Sequence, residues 1–312
     1  MNAVRVPWSS AAFLVYLGGL VILGAILALL EVQSTEHGDF GLVFWSALVF
    51  AVVAGLALGF RRSGHPVTAG LFALSSVAAF IVFAGAVLEW FGWLPDTEHP
   101  FRGFRFWLLV LELLTVVAAA VALRMFRFPL LVLVVAAATW FFVTDLLSGG
   151  GDWSAIVTIA YGLVLLLVAL AVDGGGSRVR GFWLHVVAGL TIGGGLLWFF
   201  HDGDFDWILI AVAGLLYVAL GDRLLRSSWV VLGAWGILET TSHFAAKWSS
   251  VDFFFPLFYL FPFALTADGF GEEHEHEWAG PLAFAVTGLV FIGIALFLAR
   301  RRRDEIPAAD IL

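Results

Sequence analysis

Apolar residues in this chain come in runs of about 20, the length a helix needs to span a bilayer core. The segments between the runs are alternately acidic and basic. Ten runs are evident: 11–30, 41–60, 67–90, 104–124, 128–147, 154–172, 181–200, 207–221, 229–248 and 279–299. None alternates with the period of a half-buried strand. The pattern predicts an all-α fold, a polytopic membrane helix bundle of about ten transmembrane helices. The run 11–30 follows Arg5 but is too long for a signal-peptide core and lacks a small-residue cleavage site. It is expected to be an uncleaved first helix. The piece "FFFPLFYLFPFAL" at 253–265 is too short to span comfortably and carries Pro256 and Pro262. It predicts a re-entrant or interfacial segment.

The linkers predict orientation. Arg61 and Arg62, Arg124 and Arg127, Arg178 and Arg180, Arg223 and Arg226, and Arg300 to Arg303 follow every second run. Together with Arg5 they place most basic residues on one side. Positive residues stay cytoplasmic, so both termini are expected inside. The opposite linkers are acidic: "STEHGDF", "PDTEHP", "SGGGDW", "HDGDFDW" and "DGFGEEHEHEW". Tryptophans gather on that side, among them Trp45, Trp90, Trp93, Trp107, Trp153, Trp198, Trp207, Trp248 and Trp278, as an interfacial belt would require.

An internal repeat is visible in "WFFVTDLLSGGGDW" (140–153) and "WFFHDGDFDW" (198–207), with an echo in "EHGDFGLVFW" (36–45). The unit is a helix, an acidic outer turn and a helix returning to arginines. Five in-out-in hairpins result: 11–62, 67–127, 128–180, 181–226 and 229–303. The first four, within 1–228, read as scaffold. The fifth, 229–303, holds the 253–265 insertion and the His/Glu loop, and 304–312 is a short cytoplasmic tail.

Composition narrows the class. The chain is 62% hydrophobic and 13% charged, against about a quarter charged in a typical soluble domain. Cysteine is absent, which excludes disulfides, thiolate metal sites and cysteine nucleophiles. A single lysine beside abundant arginine, alanine and glycine fits a GC-rich bacterial genome, hence the bacterial cytoplasmic (plasma) membrane. No nucleotide-binding, nucleophile-elbow or zinc-protease motif occurs. No basic nucleic-acid surface is present.

The candidate chemistry lies where charge enters the apolar runs. In "GILETTSHFAAKW", Glu239, His243 and Lys247 recur every four residues and stack along one helix face. Glu239 lies about 15 Å from Trp229, near the membrane centre. An ionisable group there is costly and is kept for a pathway or a partner. The stripe therefore reads as a proton or ion pathway, or else as a structural ladder from Glu239 to His243. Glu112, in "WLLVLELLTVV", lies about 12 Å from its helix end, close to the depth of Glu239. It reads as a second proton carrier or as a neutral acid bonded to a neighbouring helix. Asp145, Asp202, Glu89 and Glu31 are expected to be solvated helix-end carboxylates, and His185 a bland interfacial residue.

Two further features lie in the fifth hairpin. "EEHEHE" supplies Glu273, His274, Glu275 and His276, a donor set suited to a divalent metal or simply to a solvated acidic loop. No other cofactor is expected. Phe255, Pro256, Tyr259 and Pro262 mark the 253–265 segment as a gate, a partner surface or an interfacial cap.

In size, in ten runs and in same-side termini the chain resembles the drug/metabolite transporter superfamily. The final run, "WAGPLAFAVTGLVFIGIALFLARRRR", is similar in character to that superfamily's last helix. The long acidic loops and the 253–265 insertion depart from its compact pattern, and no residue role follows from the likeness. Three functions are compatible with these features. The first is a proton- or cation-coupled transporter working through Glu239, His243 and Glu112. The second is a membrane subunit or sensor whose acidic loops bind a partner subunit, a small molecule or an ion. The third is an intramembrane enzyme acting on lipid substrates. Besides the lipid bilayer, nothing specifies a partner.

Overall fold

The computed structural model describes residues 38–93, 106–148, 150–176, 178–248 and 279–304. The described residues form nine helices and no strand. They are α1 (Gly38–Arg62), α2 (Pro66–Trp90), α3 (Phe106–Phe126), α4 (Leu130–Leu147), α5 (Gly151–Gly174), α6 (Arg178–Phe199), α7 (Asp204–Leu224), α8 (Ser227–Trp248) and α9 (Ala279–Asp304). They coincide, within a few residues, with nine of the ten apolar runs. The run 11–30 and the 253–265 segment lie outside the described residues.

Seven helices, α1 to α7, are long and apolar enough to cross a membrane. Their outward faces carry bare apolar side chains such as Leu167, Phe205 and Leu216, each more than 60% exposed. This is the surface of a multi-pass integral membrane protein, whose outer shell is meant for lipid rather than water. Several hydroxyls inside the spans bond within their own helices, while the buried Thr144 Oγ1 has no hydrogen-bond partner among the described residues. Ser46 Oγ donates to Leu42 O (2.6 Å), Thr115 Oγ1 to Leu111 O (2.8 Å) and Thr139 Oγ1 to Val135 O (2.7 Å). The helix α8 falls short of the hydropathy of a crossing helix because Glu239, Thr240, Thr241, Ser242, His243 and Lys247 dilute it, and α9 contributes a shorter apolar stretch, Leu282–Leu298.

The helices group into two compact units, Met1–Ala188 and Gly189–Leu312. In the first, α1 and α2 are joined by a three-residue turn, and Pro66 starts α2 where its missing N–H costs nothing. A core of Ala57, Ala73, Val77, Ala119, Ala122 and Leu131 joins α1, α2, α3 and α4. Most of these residues are small, so the helices approach closely, as packing without a strong hydrophobic drive in lipid requires. Further along, α4 and α5 are tied by Trp140 Nε1 donating to Thr158 Oγ1 (3.1 Å) and by the Tyr161 hydroxyl donating to Ala136 O (2.7 Å).

In the second unit α7 and α8 pack backbone to backbone. A Cβ on Gly214 would lie 2.7 Å from Gly233 O, and one on Gly233 would meet Gly214 O and stand 2.9 Å from the Tyr217 Cβ. Gly203 caps the start of helix α7, its N–H donating to Asp206 Oδ2 (3.1 Å), and the first turn holds Asp204 and Asp206, favourable to the helix dipole. The Trp229 ring is fully buried, edge-on to Tyr217 at 4.8 Å, and the Tyr217 hydroxyl donates to Gly189 O (3.0 Å). Thr241 and Thr287 hydroxyls, 2.9 Å apart, join α8 to α9.

The most extensive helix–helix contacts are those of α1 with α2 and of α7 with α8, each pair joined at an arginine-bearing turn. Among the described residues, the most extensive contact thus falls between the expected hairpins rather than within them. The physical reason is local: the basic turns are short, and the helix faces beside them are built from glycine, alanine and serine.

Candidate functional site

The stripe on α8 divides into two parts. Its lower member, Glu239, is half-buried, and its Oε1 accepts the indole N–H of Trp235, one turn back on the same helix, at 2.7 Å. Its upper members turn to α7. Lys247 Nζ donates to Asp204 Oδ2 at 2.6 Å, while His243 Nε2 stands 3.5 Å from Asp204 Oδ1. The His243 ring lies nearly parallel to that of Trp207, with centroids 4.7 Å apart and 14° between planes. Between the two parts, Thr240 Oγ1 donates to the Trp207 carbonyl at 3.0 Å. All of these groups belong to the second unit.

The expected structural ladder from Glu239 to His243 is therefore replaced by two separate partnerships. Helical spacing placed the three side chains on one face; the rotation of α8 against α7 decided what that face meets. Asp204 and Trp235 carry no mark in the sequence beyond residue type. Asp204 sits in "HDGDFDW", where it looks like one more solvated acid, and only the α7–α8 packing brings it beneath Lys247.

In the first unit, Glu112 on α3 lies close enough to Asp145 on α4 for the two carboxyls to interact electrostatically. Glu112 Oε2 is buried and has no hydrogen-bond partner. Asp145 is thus not the freely solvated helix-end carboxylate expected from the sequence. It lies two residues from the C-terminal end of α4, yet the packing of α3 on α4 brings it near a second acid.

His185 also departs from expectation. It is fully buried, and its Nε2 lies 3.0 Å from Asp173 Oδ2 at the close of α5. The short α5–α6 turn folds α6 back so that the first turns of α6 meet the last turn of α5. A buried imidazole held by a carboxylate is a paired group, not an interfacial bystander.

Glu273, His274, Glu275, His276, Phe255, Pro256, Tyr259 and Pro262 lie outside the described residues. Among the described residues, no three His, Asp or Glu side chains converge as metal ligands.

No family model, no curated protein and no solved structure matches this chain. The functional reading therefore rests on the groups above.

Proposed function

We propose that this multi-pass membrane protein is a carrier coupled to a proton or cation gradient, with Glu112, Asp145 and Glu239 as the coupling carboxyls. The observation that carries the reading is Glu112 Oε2, buried and unpartnered in a helix apolar enough to cross a membrane, with the Asp145 carboxyl of the next such helix close enough to interact with it. Two neighbouring carboxyls repel when both are ionised, and low dielectric strengthens the repulsion. Such a pair is at rest when it shares a proton or holds a cation between its oxygens. Loading and unloading that charge is the elementary act of a coupled carrier, and ionisable groups inside spans commonly mark ion paths. Glu239, with one oxygen on Trp235, is a second such group in the other unit.

The same reading takes the arginine-bearing ends as cytoplasmic, both termini as inside, and the bacterial plasma membrane as the site of action. The acidic ends then face outward and concentrate cations at the entrance.

One alternative has an observation in its favour. Asp204, His243 and Lys247 form a cluster that satisfies itself, as in a scaffold or sensor subunit whose acidic face receives a partner. Reconstitution in liposomes separates the two. Internal pH is followed under imposed proton and cation gradients for wild type, Glu112→Gln and Glu239→Gln. Carrier function requires wild-type flux that Glu112→Gln removes. Absence of flux in well-folded wild type favours the subunit.

A further inference from the structure

Glu239, His243 and Lys247 share one face of α8, and α7 meets the upper part of that face at His243 and Lys247. Going from Glu239 toward the acidic end, the first obstacle is the His243 imidazole stacked on the Trp207 indole. The next is the Asp204–Lys247 ion pair at 2.6 Å. Exposure falls inward along this line: about half of the Asp204 and Lys247 side chains is exposed, but only 30% of His243. Thr240, bonded to the Trp207 carbonyl, pins the inner layer to α7. Helix α9, which meets α8 through Thr287 and Thr241, has no ionisable side chain between Leu282 and Leu298.

We infer that the His243–Trp207 stack and the Asp204–Lys247 pair are two layers of a gate that closes the acidic-end approach to Glu239. The ion pair is the outer latch. It is exposed enough to break and re-form without stranding a buried charge, which a deeper pair would do. The ring stack is the inner seal, flat and apolar on its faces, so it excludes water while closed. Below the glycine-packed contact of Gly214 with Gly233 the two helices are held backbone to backbone, so opening is confined to their acidic ends. This inference takes Glu239 as the group being guarded, as proposed above, but its test reads access alone and not transport.

The chain has no cysteine, so one thiol can be placed without background. Glu239→Cys is made in the full-length protein in nanodiscs, and its labelling by a charged, membrane-impermeant maleimide is timed. The same measurement is made with Lys247→Ala and His243→Ala added, and separately with the exchanged pair Asp204→Lys and Lys247→Asp. The gate predicts labelling about tenfold or more faster in the alanine variant, because removing both layers raises the open population. The exchanged pair restores the latch and labels as slowly as Glu239→Cys alone. Equal rates in all three proteins overturn the gate. So does an exchanged pair that labels as fast as the alanine variant, since loosened folding rather than a lost latch would then explain the gain. Loss of flux in the carrier assay leaves these rates unchanged, so the two readings fail separately.

Discussion

Glu112 and Asp145 are two neighbouring acids at the α3–α4 interface, and a proton or a cation is the simplest means of relieving their repulsion. If it is a proton, difference infrared spectroscopy will show a protonated-carboxyl C=O band in wild type. Glu112→Gln will remove it, whereas Asp145→Asn will shift it without abolishing it, because the Glu112 oxygen stays buried without a partner. A band that survives Glu112→Gln would assign the proton elsewhere. The Trp235–Glu239 bond is the second residue-scale feature. Trp235→Phe takes away the donor at 2.7 Å and leaves a half-buried carboxylate oxygen unsatisfied. We expect a loss of about 1–3 kcal/mol in chemical denaturation, part of it from the smaller ring. The stripe spacing made Glu239 conspicuous in the sequence. Trp235 was equally four residues away, but a tryptophan in an apolar run looks like any other lipid- or core-facing ring, so its role as donor was not legible.

At the scale of the element, glycine placement separates helix faces that must touch from faces that must not. On α7 and α8, Gly214 and Gly233 leave no room for a Cβ, since the intruding neighbour is backbone and cannot step aside. Gly214→Val and Gly233→Val will force the pair apart and lower the thermal midpoint, at an overpacking cost of about 1–3 kcal/mol each or more. On α1 the opposite holds. A Cβ on Gly59 meets nothing within 4 Å, so Gly59→Ala will be neutral or will stabilise the helix by up to about 1 kcal/mol. Thermal unfolding of the purified variants checks both directions. The helices themselves were readable from run length and hydropathy alone. The ranking of helix pairs was not, because repeated acidic turns suggested hairpins while the small-residue faces put the most extensive contacts across the basic turns.

For the whole molecule, the segregation of arginines from acids is the strongest long-range regularity. If the arginine-bearing ends are cytoplasmic, Ser63→Cys, in the α1–α2 turn, will be protected from an impermeant thiol reagent in intact cells. Asp202→Cys, in the turn before α7 with its native side chain 87% exposed, will label at once. The reverse pattern would invert the proposed orientation and put the Asp204–Lys247 latch on the inside.

Hydropathy and charge order are properties of neighbouring residues, and the sequence by itself determined what depends on them: an all-helical chain, membrane-spanning runs, and a basic and an acidic set of turns. Partners across helices depend on how each helix is rotated about its axis, which is settled only when small-residue faces find one another. The tertiary structure alone therefore decided that Lys247 and His243 meet Asp204, that Glu112 lies near Asp145, and that His185 is buried on Asp173. A rotation of any one of these helices by a single residue, about 100°, would leave the hydropathy profile intact and dissolve the pairing that helix takes part in.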